Sequence, residues 1–575
     1  MEAVPERIDF QRSYSVLYWG RFSGKVVSNG GKYKMRVEDV YLEPDHSLVK
    51  DYLHHFHHLE PFYDYNPGED SAFVMRAERL KRRETPVSRE ALASVLEQYH
   101  MGLEHPAVQS NLDRLRQPDS VVVVGGQQAG ILTGPLYTIY KAITLIQLAQ
   151  REEKRLQRPV IPVFWIAGED HDLEEVNHLH LFSQGNTEKI ILPVEAGEKV
   201  PVSEVVPGKE LLEAWLRELG DQLPDTPYKS QLLEVLREIS RDEVSLSRHF
   251  ARLMHHLFSH YGLLMIDSAF PPLRHLELPF FRWLIQHNET LGQAVLKQAT
   301  RLQAAGYPVS VDLEADKAHL FLQVEGQRQA LYRNAEGIFY TKDGENRFSR
   351  EQLLKELEAN PVRFSNNVLT RPLMQEVLFP TLAFVAGPGE ISYWGLLRSA
   401  FQQAGLEMPI LFPRIGITLV SRKAEKEMRR FRLTVDDVLH RLQEKKQRWL
   451  QTQVDLDVET TFSQVQTRID GIYQPLLREI SSIRPDLESL GETNRGKVLE
   501  QVEYLKKETW KALEKRGETD LRRFSELEAE LRPCGHLQER VHNWIPWWNL
   551  LGEGALEELV RSPLLSIQTH RVVYL

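Results

Sequence analysis

Cysteine is nearly absent: 575 residues contain one, Cys534. A single thiol forms no intramolecular disulfide and no multi-cysteine zinc site, so no zinc is expected, and it suits a reducing compartment. Long apolar runs are missing as well. No uncharged apolar stretch reaches the ~20 residues that span a bilayer, which argues against a membrane partner. Met1–Arg7 has neither the basic start nor the apolar run of a secretory leader, so a cytoplasmic location is expected. Positive charge is in deficit, with 71 Lys and Arg against 81 Asp and Glu and a net charge of -10. That balance repels a phosphate backbone and argues against nucleic acid as a partner.

What is present is ordinary for a globular enzyme: 42% apolar and 26% charged residues. The length suggests more than one domain. Val121-Val122-Val123-Val124 is apolar and β-branched, as a strand buried on both faces of a parallel sheet should be. It runs into Gly125-Gly126-Gln127-Gln128-Ala129-Gly130, and a helical pattern follows from about Leu136 to Gln150. A second strand, Val160–Ala167, ends in the acidic loop Gly168-Glu169-Asp170-His171-Asp172. Further strands are expected at Leu263–Ile266, Leu382–Val385 and Pro409–Phe412. This is an α/β pattern with a Rossmann-like parallel sheet, in which ligands bind beyond the carboxyl ends of the strands.

Between 307 and 360 the pattern changes to short alternating segments, Val309–Leu313 and His319–Val324 among them, which reads as a small antiparallel β insertion in a core spanning 1–420. From 421 to 533 the chain is highly charged and helical. Phe462, Val465, Ile469, Ile472 and Leu476 recur every three or four residues, and Ile483, Leu487, Leu490, Val498, Val502, Leu505, Leu521, Phe524 and Leu531 continue the stripe. This is an antiparallel coiled-coil arm, which Pro475 and Pro485 are expected to kink or break. The segment 534–575, with Trp544, Trp547 and Trp548, is expected to return to the core.

Four groups could carry chemistry. The glycine loop is neither a dinucleotide fingerprint nor a Walker A sequence, yet small residues before a helix let backbone N–H groups approach an anion. Gly125, Gly126, Gln127, Gln128, Gly130 and Thr133 are therefore the candidate nucleotide-binding residues; a ligand-free tight turn is the alternative. In the acidic loop Asp170 and His171 are acid–base or substrate-binding candidates. If the chain is helical from Asp172, then His171, Glu175 and His178 share a face, a pattern that also suits a metal or a solvated helix start. Asn366, Asn367 and Arg371 resemble a carboxylate clamp, or equally a capped helix with Thr370 at its cap. Gly387-Pro388-Gly389-Glu390 opens a helix that displays Tyr393.

Several long motifs resemble the bacillithiol biosynthesis cysteine-adding enzymes: Gly125–Gly130 with Thr133-Gly134-Pro135, Trp165–Asp172, Ser365–Pro372, Leu378–Glu390 and the ending His570–Leu575. The resemblance runs essentially end to end. It implies a Rossmann-like core with inserted segments and a coiled-coil arm that pairs subunits into homodimers. It also implies a ligase that joins cysteine through its carboxyl group to the amine of glucosaminyl-malate. A carboxylate needs activation before it acylates an amine, so ATP, with Mg2+ as its companion, is the expected cosubstrate. On that reading Arg371 holds a substrate carboxylate, Asn366, Asn367 and Tyr393 line the substrate site, Asp170 or Glu390 binds an ammonium, and His171 takes a proton. Two other readings stand beside it: a metal-dependent hydrolase or deacetylase using His171, Asp172 and His178, and a non-catalytic scaffold built on the arm.

Overall fold

A computed structural model describes residues 26–27, 35–183 and 186–575; the leader reading of Met1–Arg7 lies outside the described residues. The α/β expectation holds. Five strands form one sheet: β1 Val121–Gln127, β2 Val160–Ile166, β3 Leu264–Asp267, β4 Thr381–Ala386 and β5 Ile410–Pro413. Their order is β5-β4-β1-β2-β3, and every pairing is parallel. All of β2 to β5 is buried, because helices cover both faces, which is why these strands read as continuous apolar runs. Read from β3, the order is 3-2-1-4-5. The direction of winding therefore reverses between β1 and β4, and a crevice opens there beyond their carboxyl ends.

Helix α1, Tyr137–Leu156, makes the crossover from β1 to β2, and its apolar face Ile139, Ile143, Ile146 and Leu148 is buried. Between β3 and β4 come α2, Pro271–Gln286, and a five-stranded sheet. That sheet runs Arg347–Phe348, Phe339–Thr341, Gln327–Arg333, Lys317–Val324 and Phe364–Asn366 in spatial order, and all its pairings are antiparallel. Val309–Leu313, expected as a strand, belongs to none. Its alternating residues Val309, Val311 and Leu313 pack against the main core, so the alternation records one-sided burial of a segment with no ladder partner. The strand Phe364–Asn366 leads into α3, Arg371–Leu378. After β4, Gly387 caps α4, Pro388–Trp394.

The arm is a helical hairpin of α5, Val458–Ile483, and α6, Asp486–Arg516, followed by α7, Glu518–Leu531. Pro485 interrupts it, since α5 ends at Ile483 and α6 starts at Asp486. Pro475 does not break it, because α5 continues through that position. The hairpin is antiparallel: Glu459 meets Lys506 at 2.5 Å, and Asp470 meets Arg495 at 3.0 Å. A small separate core at its base packs Phe524, Leu527 and Leu531 against Val420, Met428 and Val438. The strand His570–Tyr574 pairs with Ile417–Val420 in parallel and with Arg36–Val40 antiparallel, and Trp544, Trp547 and Trp548 are buried in the main core.

Candidate functional site

The crevice between β1 and β4 collects most of the candidate residues. Lys141, on the second turn of α1, is buried among apolar neighbours. Its ammonium donates to the Gly126 carbonyl at 2.6 Å and to Glu390 Oε2 at 2.7 Å. The same carboxylate accepts the Gly387 N–H at 2.8 Å, which caps the start of α4. One lysine thus ties the end of β1 to the helix after β4. Burial pulls the Lys141 pKa down, while the charge and hydrogen bond of Glu390 oppose it. Arg371, at the start of α3, donates to the Tyr393 hydroxyl and to Gln375 Oε1 at 3.3 Å, and lies 3.9 Å from Glu390. Burial pushes the Tyr393 phenol up to about 12.

Arg414, just after β5, pairs with Glu539 at 2.6 Å and lies over the Tyr137 ring at 5.8 Å. Tyr137 in turn feels the charges of Arg540, Arg414, Glu175 and Glu390. It therefore stands between the β4 side of the crevice and the acidic loop.

The loop after β2 is tied to the glycine loop. Gln128 Nε2 donates to Asp170 Oδ2 at 2.9 Å and also to Glu175. Asp170 Oδ1 accepts the His171 N–H at 2.8 Å. The His171 ring nitrogen Nδ1 lies 3.4 Å from Arg328 Nη1. Burial and then Arg328 lower the His171 pKa, against the pull of Asp170. The ring is thereby held neutral near neutral pH, the state a proton acceptor needs.

The glycines of the loop after β1 stand where there is no room for a side chain. A Cβ on Gly126 would stand 2.5 Å from the Trp165 carbonyl, on Gly125 3.2 Å from Val385, and on Gly130 2.8 Å from Gly134. These positions let strands and loop pack closely. The helix begins only at Tyr137, as its pattern from about Leu136 led one to expect. Before it, Ile131–Thr133 is a 3-10 turn with Leu132 and Thr133 at positive φ, and Asn543 Nδ2 clamps it through the carbonyls of Leu132 and Gly134 at 2.8 and 2.7 Å. Gln127 spends its carbonyl on Ala167 N–H. The Thr133 hydroxyl is buried with no hydrogen-bond partner.

The amide pair divides. Asn367 is consumed locally, its Oδ1 accepting from the backbone of Leu369 and Thr370 and its Nδ2 meeting His319 at 3.2 Å. Asn366 is buried, and both polar atoms of its side chain lack a partner. The shared face of His171, Glu175 and His178 does not form. The helix after Asp172 is one turn, Leu173–Val176, and His178 already belongs to a hairpin strand opposite Ile191. The chain turns at Asn177 because the next residues alternate as a strand. Among the described residues no group of three or more His, Cys, Asp or Glu side chains converges as a metal site. His55, His57 and His58 are exposed.

Sequence reasoning missed Lys141, Arg414, Tyr137 and Arg328. Lys141 carried a signal, since it is a lone cation in the apolar first half of α1. Arg328 carried none, because only the folding of the β insertion brings it to His171.

The sequence model of the "Bacillithiol biosynthesis BshC, N-terminal Rossmann-like domain" matches residues 35–415, and that of the "C-terminal coiled-coil domain" of the same family matches 417–575. A protein of Geobacillus kaustophilus named "Putative cysteine ligase BshC" is 38% identical over 546 residues, covering 94% of this chain and 100% of its own. Relatives of the same name from Bacillus licheniformis and Halalkalibacterium halodurans are 35% and 36% identical, with the same coverage.

Proposed function

The chain belongs to the bacillithiol biosynthesis BshC family of ligases, and from that premise we propose that it carries out the amide-forming step itself. Cysteine would be joined through its carboxyl group to the amine of glucosaminyl-malate, with a nucleotide activating the carboxyl. The observation that carries this reading is the crevice at the strand-order reversal, where Arg371, Lys141, Glu390 and Tyr393 form one connected polar group. An amide-forming site needs a cation for a carboxylate or phosphate and an anion for an ammonium. Arg371 provides the first, because its guanidinium is bound to a phenol and an amide rather than saturated by a carboxylate. Asp170 provides the second, since Glu390 is already paired with Lys141.

The same reading takes ATP as the activating nucleotide. The Thr133 hydroxyl and, on a different element, the Gln375 Nε2 beside Arg371 are each buried without a partner, and either could donate to a phosphate oxygen. Bound there, with Mg2+, ATP would supply the leaving group that a free carboxylate lacks. Arg371 would hold the anion, Lys141 would keep the Gly126 carbonyl and the cap of α4 in register, and neutral His171 would take the proton from the attacking amine. A cytoplasmic location goes with this reading.

Homodimerisation through the arm belongs to the same proposal. The hairpin buries Leu477 and Leu513 but leaves Val465, Ile472, Leu476, Ile483, Leu490 and Leu505 exposed. Within α5, Val465 and Ile472, and likewise Leu476 and Ile483, are seven residues apart, the spacing of an unpartnered coiled-coil seam.

The test is a coupled assay of purified protein with glucosaminyl-malate, cysteine, ATP and Mg2+, following product by mass spectrometry and nucleotides by chromatography. Product with AMP supports adenylation, and product with ADP supports an acyl phosphate. A folded protein that yields no product and leaves ATP intact overturns the reading.

A further inference from the structure

A second cleft, of about 500 Å3, opens at the ends of β2 and β3 and is lined by Tyr99, Glu169, Asp267, Arg274, Arg328 and Ser365 among others. Its size is that of a small-molecule site. Most of its charges are already matched. Arg274 pairs with Glu169 at 2.5 Å and with Glu277 at 2.6 Å. Arg248 spends its donors on the carbonyls of Tyr99 and Met101, both at 2.6 Å, and Arg363 is paired with Glu356.

Two of its buried charges, Arg328 and Asp267, have no ion-pair partner. Arg328 is 8% exposed, and its guanidinium lies 3.8 Å over the Phe321 ring. It donates to Ser365 Oγ at 3.0 Å and to the Asn366 carbonyl at 2.6 Å, and it faces His171. Glu169 and Asp170 are close enough to be felt, but among the described residues no carboxylate stands within ion-pair distance of it. Asp267, at the end of β3, is 4% exposed and accepts from the Ala269 N–H at 2.9 Å and from Ser247. Among the described residues no cation stands within ion-pair distance of it either. A buried charge without a counterion is costly, and a ligand that brings both missing partners removes the cost twice.

We propose that this cleft binds a small molecule carrying both a carboxylate and an ammonium group, the carboxylate on Arg328 and the ammonium on Asp267. The proposal rests on the ligase reading only for its probes, since cysteine and glucosaminyl-malate both have this chemistry. The site adjoins the reaction crevice through His171, which lies against Arg328 on one side and beside Asp170 on the other.

The test is calorimetric titration of the full chain, without nucleotide, with L-cysteine, with glucosaminyl-malate, and with L-malate as the control that lacks an amine. Saturable binding is expected from at least one amine-bearing probe, and which one binds identifies the source. L-malate should bind at least about tenfold more weakly, since it lacks the charge-assisted contact to Asp267. Arg328→Gln should weaken binding about 10- to 100-fold through loss of a charged hydrogen-bonding partner. Ser203→Phe, on the cleft wall, should block it without touching either charge, which covers the case in which Arg328→Gln does not fold. The proposal is overturned if no probe binds saturably to folded wild-type protein. It is equally overturned if binding survives Ser203→Phe. Turnover without binding at this cleft would sink the inference and leave the ligase reading intact; binding without turnover would do the reverse.

Discussion

Lys141 and Glu390 offer a direct measure of how the crevice is held together. The ammonium is 2% exposed and the carboxylate 20%, so the pair is largely desolvated and removing one partner strands the other. Breaking a fully buried pair costs about 3–5 kcal/mol. Glu390 keeps some solvent and the Gly387 N–H, which lowers the expectation to about 2–4 kcal/mol for Glu390→Gln. Lys141→Met should cost slightly less, because it removes the charge that needs solvation. The double variant should lose clearly less than the sum, with a coupling of about 2 kcal/mol. Urea unfolding followed by tryptophan fluorescence measures all three. A pH signature accompanies it. Burial lowers the Lys141 pKa in the folded protein, so above that pKa and below the ordinary lysine value the unfolded chain binds more protons. Stability should therefore rise with pH through that alkaline window, and Lys141→Met should remove the rise. A coupling below about 0.5 kcal/mol would mean the contact is not an energetic unit and would refute the account.

Arg371→Lys keeps the charge but loses the planar fork; it should raise KM for the carboxylate substrate about tenfold or more, and initial-rate kinetics with unchanged KM would exclude Arg371 as the anchor. Ile472→Lys with Ile483→Lys places charge on the exposed seam of the arm; if the arm pairs subunits as proposed, sedimentation should show a dimer for the wild type and a monomer for the variant, with little change in thermal stability. Glu530 is buried against Ser421, and burial raises its carboxyl to about 7 from an ordinary 4.5. Between those values the folded state binds more protons, so its contribution to stability falls as pH rises from 4.5 to 7 and is flat above. The loss is on the order of 3 kcal/mol, and Glu530→Gln, compared by thermal melts at pH 5 and pH 8, should flatten it.

Local pattern and tertiary context contributed different things. The strands were legible because double burial demands apolar, β-branched runs, and Val121–Val124 and Val160–Ile166 have no other plausible use. The ends of those strands were legible for the same reason, since the first polar residues past a buried run mark the carboxyl edge. Asp170 and His171 follow β2 and Glu390 follows β4 in this way, with Tyr393 one turn further along α4, whereas Arg371 arrives at the start of α3 from the antiparallel sheet. The heptad spacing announced the arm, but not which line of it would be buried: the hairpin hides Leu477 and Leu513 and leaves Ile472 and Ile483 in solvent. Helical periodicity gives a face, while the partner helix chooses where on that face to pack.

Val309–Leu313 shows the limit from the other direction. Alternation reports one-sided burial, and a strand also needs a neighbour with free backbone groups, which only the assembled fold supplies. The sequence by itself determined the α/β class, the helical arm and the loops where polar groups collect, because each follows from periodicity and burial within a few residues. The order 3-2-1-4-5, the pairing of Lys141 with Glu390 across 249 residues, and the meeting of Arg328 with His171 across 157 were decided by the tertiary structure alone. Contacts between distant segments depend on how whole elements pack, and no local pattern encodes that.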